Sequence, residues 1–200
     1  MYNPPHFREE RPEVLHQAIR DIAFATLVTE GQGGIEANHL PFLLDATRGV
    51  LRGHVARANP VWKEARTTRE ALVIFLGPDA YVTPSWYATK AATGKVVPTW
   101  NYLTVHARGR LEFFDDAARL HRLVTDLTER HEAARAQPWA VTDAPSGYID
   151  TMLKAIVGVE LTITQLEGKY KLSQNRDAAD RDGVRAGLAA EHPDIARHMP

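Results

Sequence analysis

Apolar residues at Val14, Leu15, Ala18, Ile19 and Ile22 recur at helical spacing behind Pro12, which predicts a helix over 12–22. From Phe24 onward the pattern is that of strands: residues 24–29 and 35–44 around a glycine-rich turn at 31–34, then 50–57 after a turn at 47–49. Asn59-Pro60 opens a short helix over 61–67, and the apolar run 71–76 predicts a central strand buried on both faces. Residues 80–87 and 95–114 read as the arms of a long hairpin around 88–95, with prolines marking edges or bulges. In that register Trp100 falls roughly opposite Thr83. Asp115 or Asp116 caps a helix to about Arg135, with Leu120, Leu123, Val124 and Leu127 on one face. A loop at 137–147, a short helix near 148–155 and an alternating strand over 157–163 follow. From Ser173 the chain reads as polar, alanine-rich helix with a loose end after Pro193.

Strands concentrated in two-thirds of the chain, with no βαβ rhythm, predict a mainly β fold: an antiparallel barrel with peripheral helices. The expected organisation is one domain over 1–175 and a helical tail over 176–200. The chain has no cysteine, which removes disulfides, thiolate catalysis and cysteine-held metals. No secretory leader or membrane-length apolar run is evident in the 200 residues, so a soluble, cytoplasmic protein is expected.

Charge is near balance overall but uneven along the chain. Segments 46–69 and 80–111 hold ten Lys/Arg and one acid, Glu64, whereas the remainder holds 14 basic and 24 acidic residues. That concentration suits a local site for a small anion better than a surface that tracks a duplex. A chance clustering of solvated cations is the alternative.

The same stretch repeats one short pattern. Pro84-Ser85-Trp86-Tyr87 and Pro98-Thr99-Trp100-Asn101-Tyr102 each place a hydroxyl beside an indole. Tryptophan most often packs in a core, but the density of polar atoms suits a platform for a flat heteroaromatic ligand. Arg57 and Asn59, at a strand end ahead of a helix start, suit a phosphate clamp, with His54 close by. The alternative is an ordinary helix start with Arg57 paired to a nearby acid. Lys171, Ser173 and Gln174 form a third polar cluster, in which Ser173 also suits a helix cap. His39, His54 and His106 lie on expected strands, yet their spacing is not that of a metal site, and no metal is expected. No G-x-G-x-x-G after a strand, P-loop or nucleophile elbow occurs, and His131-Glu132 lacks the second histidine of a zincin helix.

These motifs resemble the PaiB family of FMN-binding split-barrel proteins, described as negative transcriptional regulators. The resemblance rests on Met1-Tyr2-Asn3-Pro4 with His6-Phe7, on His39-Leu40-Pro41-Phe42, and on Gly53 to Pro60 with Trp62. It continues through Gly77-Pro78, Tyr81 to Tyr87, Val97 to Tyr102 with Val105-His106, and Lys171 to Asn175. It implies a homodimer of split barrels with FMN at or near the subunit interface. Related split barrels hold the flavin phosphate at the strand end corresponding to 54–57, which supports Arg57 as the clamp beside His54 and Asn59. Trp86 or Trp100 is then expected against the flavin, with Ser85, Asn101, Lys171, Ser173 and Gln174 supplying hydrogen bonds. The functional expectation is an FMN-binding homodimer with a role in transcriptional regulation; the alternative is an FMN-dependent oxidoreductase acting with NAD(P)H or a small substrate. Residues 171–200 hold five Lys/Arg and five Asp/Glu, which argues against direct DNA contact by the tail.

Overall fold

The computed structural model describes residues 1–200. Eight strands form one sheet system: β1 (Arg8–Glu9), β2 (Phe24–Gly31), β3 (Gly34–Pro41), β4 (Leu43–Asp45), β5 (Val50–Ala56), β6 (Glu70–Val82), β7 (Thr99–Phe114) and β8 (Ile156–Lys171). The helices are α1 (Pro12–Ile22), α2 (Val61–Glu64), α3 (Thr89–Thr93), α4 (Ala117–Glu132), α5 (Tyr148–Leu153), α6 (Ala178–Glu191) and α7 (Pro193–Ala196). The architecture is therefore a mainly antiparallel sheet with peripheral helices, as the alternation pattern predicts. No helix is long and apolar enough to cross a membrane.

Two compact units share these elements. Unit 1 comprises Met1–Ala18, Phe75–His106 and Glu167–Pro200, and unit 2 comprises Ile19–Ile74 and Ala107–Leu166. The expected boundary at 175/176 falls inside unit 1.

The strand order of the sheet is β3-β2-β6-β7-β8-β5-β4, with β1 paired to β8. A two-residue turn at Gln32-Gly33 closes the β2–β3 hairpin, whose register runs from Gly31↔Gly34 to Phe24↔Pro41. Strict alternation along β2 buries Ala25, Leu27 and Thr29 on one face. β5 pairs with β8 from Val50↔Thr162 to Ala56↔Ile156, which sets His54 opposite Gly158. The first half of β6 differs from expectation: Ala71, Val73 and Phe75 are buried, but the intervening side chains are only half-buried and Leu76 is exposed. One face of this run is core and the other is not, so its continuous apolarity overstated its burial. The Asp116 carboxylate caps α4 by accepting from Arg119 N at 2.8 Å, and Leu120, Leu123 and Leu127 form its buried stripe. α4 stops at Glu132, short of Arg135.

Unit 1 corrects two expectations. The segment 83–98 is not a pair of hairpin arms. Thr83 Oγ1 accepts from Ser85 N at 3.2 Å and starts a 3-10 turn over Pro84–Trp86, and α3 follows and ends on Gly94 at φ 66°. A proline after a hydroxyl residue has opened a turn here, where the pattern suggested a bulged strand. The chain end is also not loose. Ile195 and Met199 pack with Ala80, Val82, Tyr87, Leu172, Val184 and Leu188 in one buried cluster. Short apolar pairs four residues apart, Val184 with Leu188 and Ile195 with Met199, anchor an otherwise polar stretch.

Candidate functional site

Of the ten expected site residues, Ser85, Trp86, Trp100, Asn101, Lys171, Ser173 and Gln174 lie in unit 1, and His54, Arg57 and Asn59 lie in unit 2.

The unit 1 group is built on the start of β7 and the end of β8. Lys171 is half-buried, and its ammonium donates to Thr99 Oγ1 and to the Trp100 carbonyl, 5.9 Å from the Phe7 ring. Lys169 lies two residues back on the same face of the strand and is buried. Its ammonium donates to the Tyr2 carbonyl at 3.0 Å and sits 5.4 and 5.5 Å from the Tyr2 and Tyr102 rings. The Arg176 guanidinium lies over the Tyr87 ring at 4.5 Å. None of these three cations pairs with a carboxylate. Burial, followed by repulsion from Lys169 and Arg176, lowers the pKa of Lys171 below the ordinary lysine value.

Trp100 is 53 % exposed, and its edge meets the Tyr81 ring at 6.0 Å and 72°. Its ring neighbour, Tyr81, lies two residues from Thr83, which the expected hairpin register set roughly opposite Trp100. Asn101 is fully buried, and its amide and the Ser173 hydroxyl serve each other: Nδ2 donates to Oγ at 3.1 Å and Oγ donates to Oδ1 at 3.2 Å. Gln174 closes the adjoining turn, accepting from Leu172 N at 2.7 Å and donating to the Tyr170 carbonyl at 2.6 Å. Trp100, Asn101, Lys171, Ser173 and Gln174 therefore form one neighbourhood. Ser85 and Trp86 are engaged elsewhere in the unit: Ser85 Oγ accepts from Lys90 Nζ at 3.1 Å, and Trp86 packs on Gly183 and Gly187 of α6.

In unit 2, Arg57 pins a corner. Its Nε donates to the Lys154 carbonyl at 2.7 Å, Nη2 to the Ile156 carbonyl at 3.1 Å, and Nη1 lies 3.6 Å from Asp115. Asn59 accepts from Val61 N, at the start of α2, at 2.9 Å, and donates to Asn38 at 2.6 Å. His54 faces a cavity of about 200 Å³ lined by Val124, Trp139, Val141 and Leu153 among others, and its buried Nδ1 has no hydrogen-bond partner. No group of three His, Asp or Glu side chains is arranged to hold a metal ion.

Burial lowers the His54 pKa below its ordinary value of 6.5. The unfolded chain then takes up a proton near 6.5 that the folded chain refuses, so folding loses stability as pH falls through that value. The loss levels off once pH is below the lowered folded value. Chemical unfolding at pH 7.5 and at successively lower pH is expected to show a shallower decline for His54→Gln than for the unaltered chain. Equal declines would remove this histidine from the acid response.

The unit 1 donor set fits a phosphate-bearing flat ring such as FMN. Lys171, repelled by Lys169 and Arg176, lies beside a half-exposed indole, none of the three cations pairs with a carboxylate, and a phosphate would supply an anion. Arg57, with two nitrogens committed to carbonyls and a third facing a carboxylate, leaves less of its fork for such a role. Arg176 closes the polar run that starts at Lys171, but Lys169 does not stand out in the sequence. The signal was the i, i+2 spacing of Lys169 and Lys171 on a strand, which puts both ammoniums on one face.

Comparison with known proteins supports flavin binding by the chain as a whole. The family described as "Putative FMN-binding domain" matches residues 1–165. Protease synthase and sporulation protein PAI 2 of Bacillus subtilis is 32% identical over 201 residues, covering 100% of this chain and 94% of that protein. An uncharacterized protein of Emericella nidulans is 38% identical over 226 residues, covering 94% of this chain and 90% of that one. Among solved structures, the flavocytochrome Anf3 from Azotobacter vinelandii superposes with a TM-score of 0.62 at 14% identity, covering 88% of this chain and 75% of that one. The shared fold is the flavin-binding split barrel.

Proposed function

The chain belongs to the PaiB-type FMN-binding domain family and FMN is its cofactor; on that premise we propose that it is a cytoplasmic homodimeric regulatory protein whose FMN is held by unit 1. In this reading Lys171, Lys169 and Arg176 face the anionic end of the cofactor, and Trp100 lies against its flat part. Asn101, Ser173 and Gln174 hold the strand end that presents Lys171. The carrying observation is the set of three cations without a carboxylate beside a half-exposed indole. Bound FMN supplies a reversible acceptor of a hydride or of single electrons. The chain's own groups bind and orient it, and Lys171 keeps positive charge next to it.

The name of the Bacillus subtilis relative, which concerns protease synthesis and sporulation, supports a regulatory role over a metabolic one. Exposed Leu76, Tyr81, Val97 and Trp100 in unit 1 supply apolar surface for a second copy of the chain. Light scattering of the FMN-loaded protein is expected to give twice the chain mass.

FMN binding, followed by quenching of flavin fluorescence, is expected to weaken about 10- to 100-fold in Lys171→Gln, the range for a lost charge-assisted hydrogen bond. In the unaltered protein, affinity is expected to fall as pH rises through the lowered pKa of Lys171, because the neutral amine no longer attracts a phosphate. An unchanged affinity in the variant would move the site away from Lys171. Sustained, FMN-dependent consumption of NAD(P)H would assign the oxidoreductase reading in place of the regulatory one.

A further inference from the structure

The positive charge of residues 46–69 is not absorbed by the flavin reading. Two of its arginines, Arg48 and Arg52, meet Arg119 and Arg122 of α4 around a cavity of about 230 Å³ in unit 2. Phe114, Leu123 and Glu160 complete the lining, so four guanidiniums face one carboxylate. Glu160 is buried and neutralised chiefly by Arg48, at 2.9 Å, with Arg119 at 3.9 Å. Arg52 pairs with Asp126 at 2.9 Å and Arg119 with Glu112 at 2.6 Å, both carboxylates lying outside the lining. The Nε of Arg52 is buried without an acceptor, and Arg122 is exposed on α4 with no hydrogen bond or ion pair. Arg119 is also stacked over the Phe114 ring at 3.8 Å, which fixes its plane.

We propose that this arginine-lined cavity binds a compact polyanion, such as a diphosphate or tricarboxylate, as a site separate from that of FMN. Guanidinium forks pair bidentately with phosphate or carboxylate oxygens, and a recess with low-dielectric walls strengthens each contact. The volume exceeds what one phosphate needs and admits two linked anionic groups. Glu160, tied to Arg48, orients the cluster; Arg52 and Arg119 keep their ion pairs with Asp126 and Glu112 and offer the ligand their remaining N–H groups, and Arg122 is wholly available to it.

Calorimetric titration of the FMN-loaded protein at low ionic strength, with pyrophosphate in one arm and citrate in the other, tests the site. Saturable binding that weakens with added salt is expected, and the tighter arm tells a phosphoryl ligand from a carboxylate one. Arg122→Gln, at an exposed position that does not threaten folding, is expected to weaken that binding about tenfold or more and to leave FMN affinity unchanged. Lys171→Gln is expected to do the reverse, so failure of this site and failure of the flavin site are distinguishable. Absence of saturable binding in both arms would overturn the proposal. So would an Arg122→Gln protein that binds the anion as before, or one that loses FMN in parallel.

Discussion

Gly183→Ala is expected to destabilise the protein by about 3 kcal/mol, the upper part of the range for overpacking a filled site. At an exposed helix position the same change would stabilise by about 1 kcal/mol, because alanine is the better helix former. The sign reverses because of one atom. A methyl group built at Gly183 lies 2.0 Å from the Trp86 carbonyl oxygen, and one at Gly187 lies 2.3 Å from Cε2 of the Trp86 indole. The carbonyl belongs to the 3-10 turn that Trp86 N and Tyr87 N close on Thr83 and Pro84, so it has nowhere to swing. The indole can rotate, and Gly187→Ala is expected to cost less, about 1–2 kcal/mol. Truncating Trp86 to alanine separates the two. It removes the obstacle at Gly187 but leaves the carbonyl at Gly183, so only the Gly187→Ala and Trp86→Ala pair should be strongly non-additive. Urea unfolding of the singles and both doubles measures this. A Gly183→Ala protein as stable as the unaltered one would show that α6 does not seat on Trp86.

That contact also explains what the doubled tryptophan pattern could and could not tell. Behind each proline it placed a hydroxyl and an indole, and the two copies have different fates. Trp100 keeps half its surface exposed beside Lys171, whereas Trp86 is the seat of a helix over 90 residues further along the chain. Nothing local to Trp86 announces two glycines four residues apart on α6. The regular elements were legible because periodicity and caps agree: Pro12 opens α1, Asp116 caps α4, and β2 alternates along its length. The segment 83–98 was misread because turn-forming hydroxyls and prolines resemble bulged strand when only apolar spacing is counted. The cation cluster was half legible. Lys171 and Arg176 stand out as the two ends of one polar run, but Lys169 joins them only through the pleat of β8.

The turn after β8 rests on the Asn101–Ser173 pair, and Asn101→Leu is expected to cost about 2–4 kcal/mol. Leucine has nearly the shape of asparagine, so the cost is not mainly a cavity. It comes from the Ser173 hydroxyl, which both accepts from and donates to Asn101 and is buried with it. Stripped of its partner, a buried hydroxyl costs about 1–3 kcal/mol, and the lost bonds add to that. Ser173 sits at φ 65°, a left-handed conformation that a non-glycine residue holds only when its surroundings fix it. The amide is that fixture, joining β7 to the end of β8 across 72 residues of chain. Removing both polar groups, as Asn101→Leu with Ser173→Ala, is expected to recover about 1–2 kcal/mol relative to the sum of the singles, since nothing buried is then left unpaired. The same variants separate folding from function. If the pair positions Lys171, Asn101→Leu lowers FMN affinity even under conditions where the protein is fully folded, and the double variant regains stability without regaining that affinity. Additive stabilities would mean that the two side chains do not depend on each other, and unchanged FMN binding would mean that Lys171 is held by Thr99 and the Trp100 carbonyl alone.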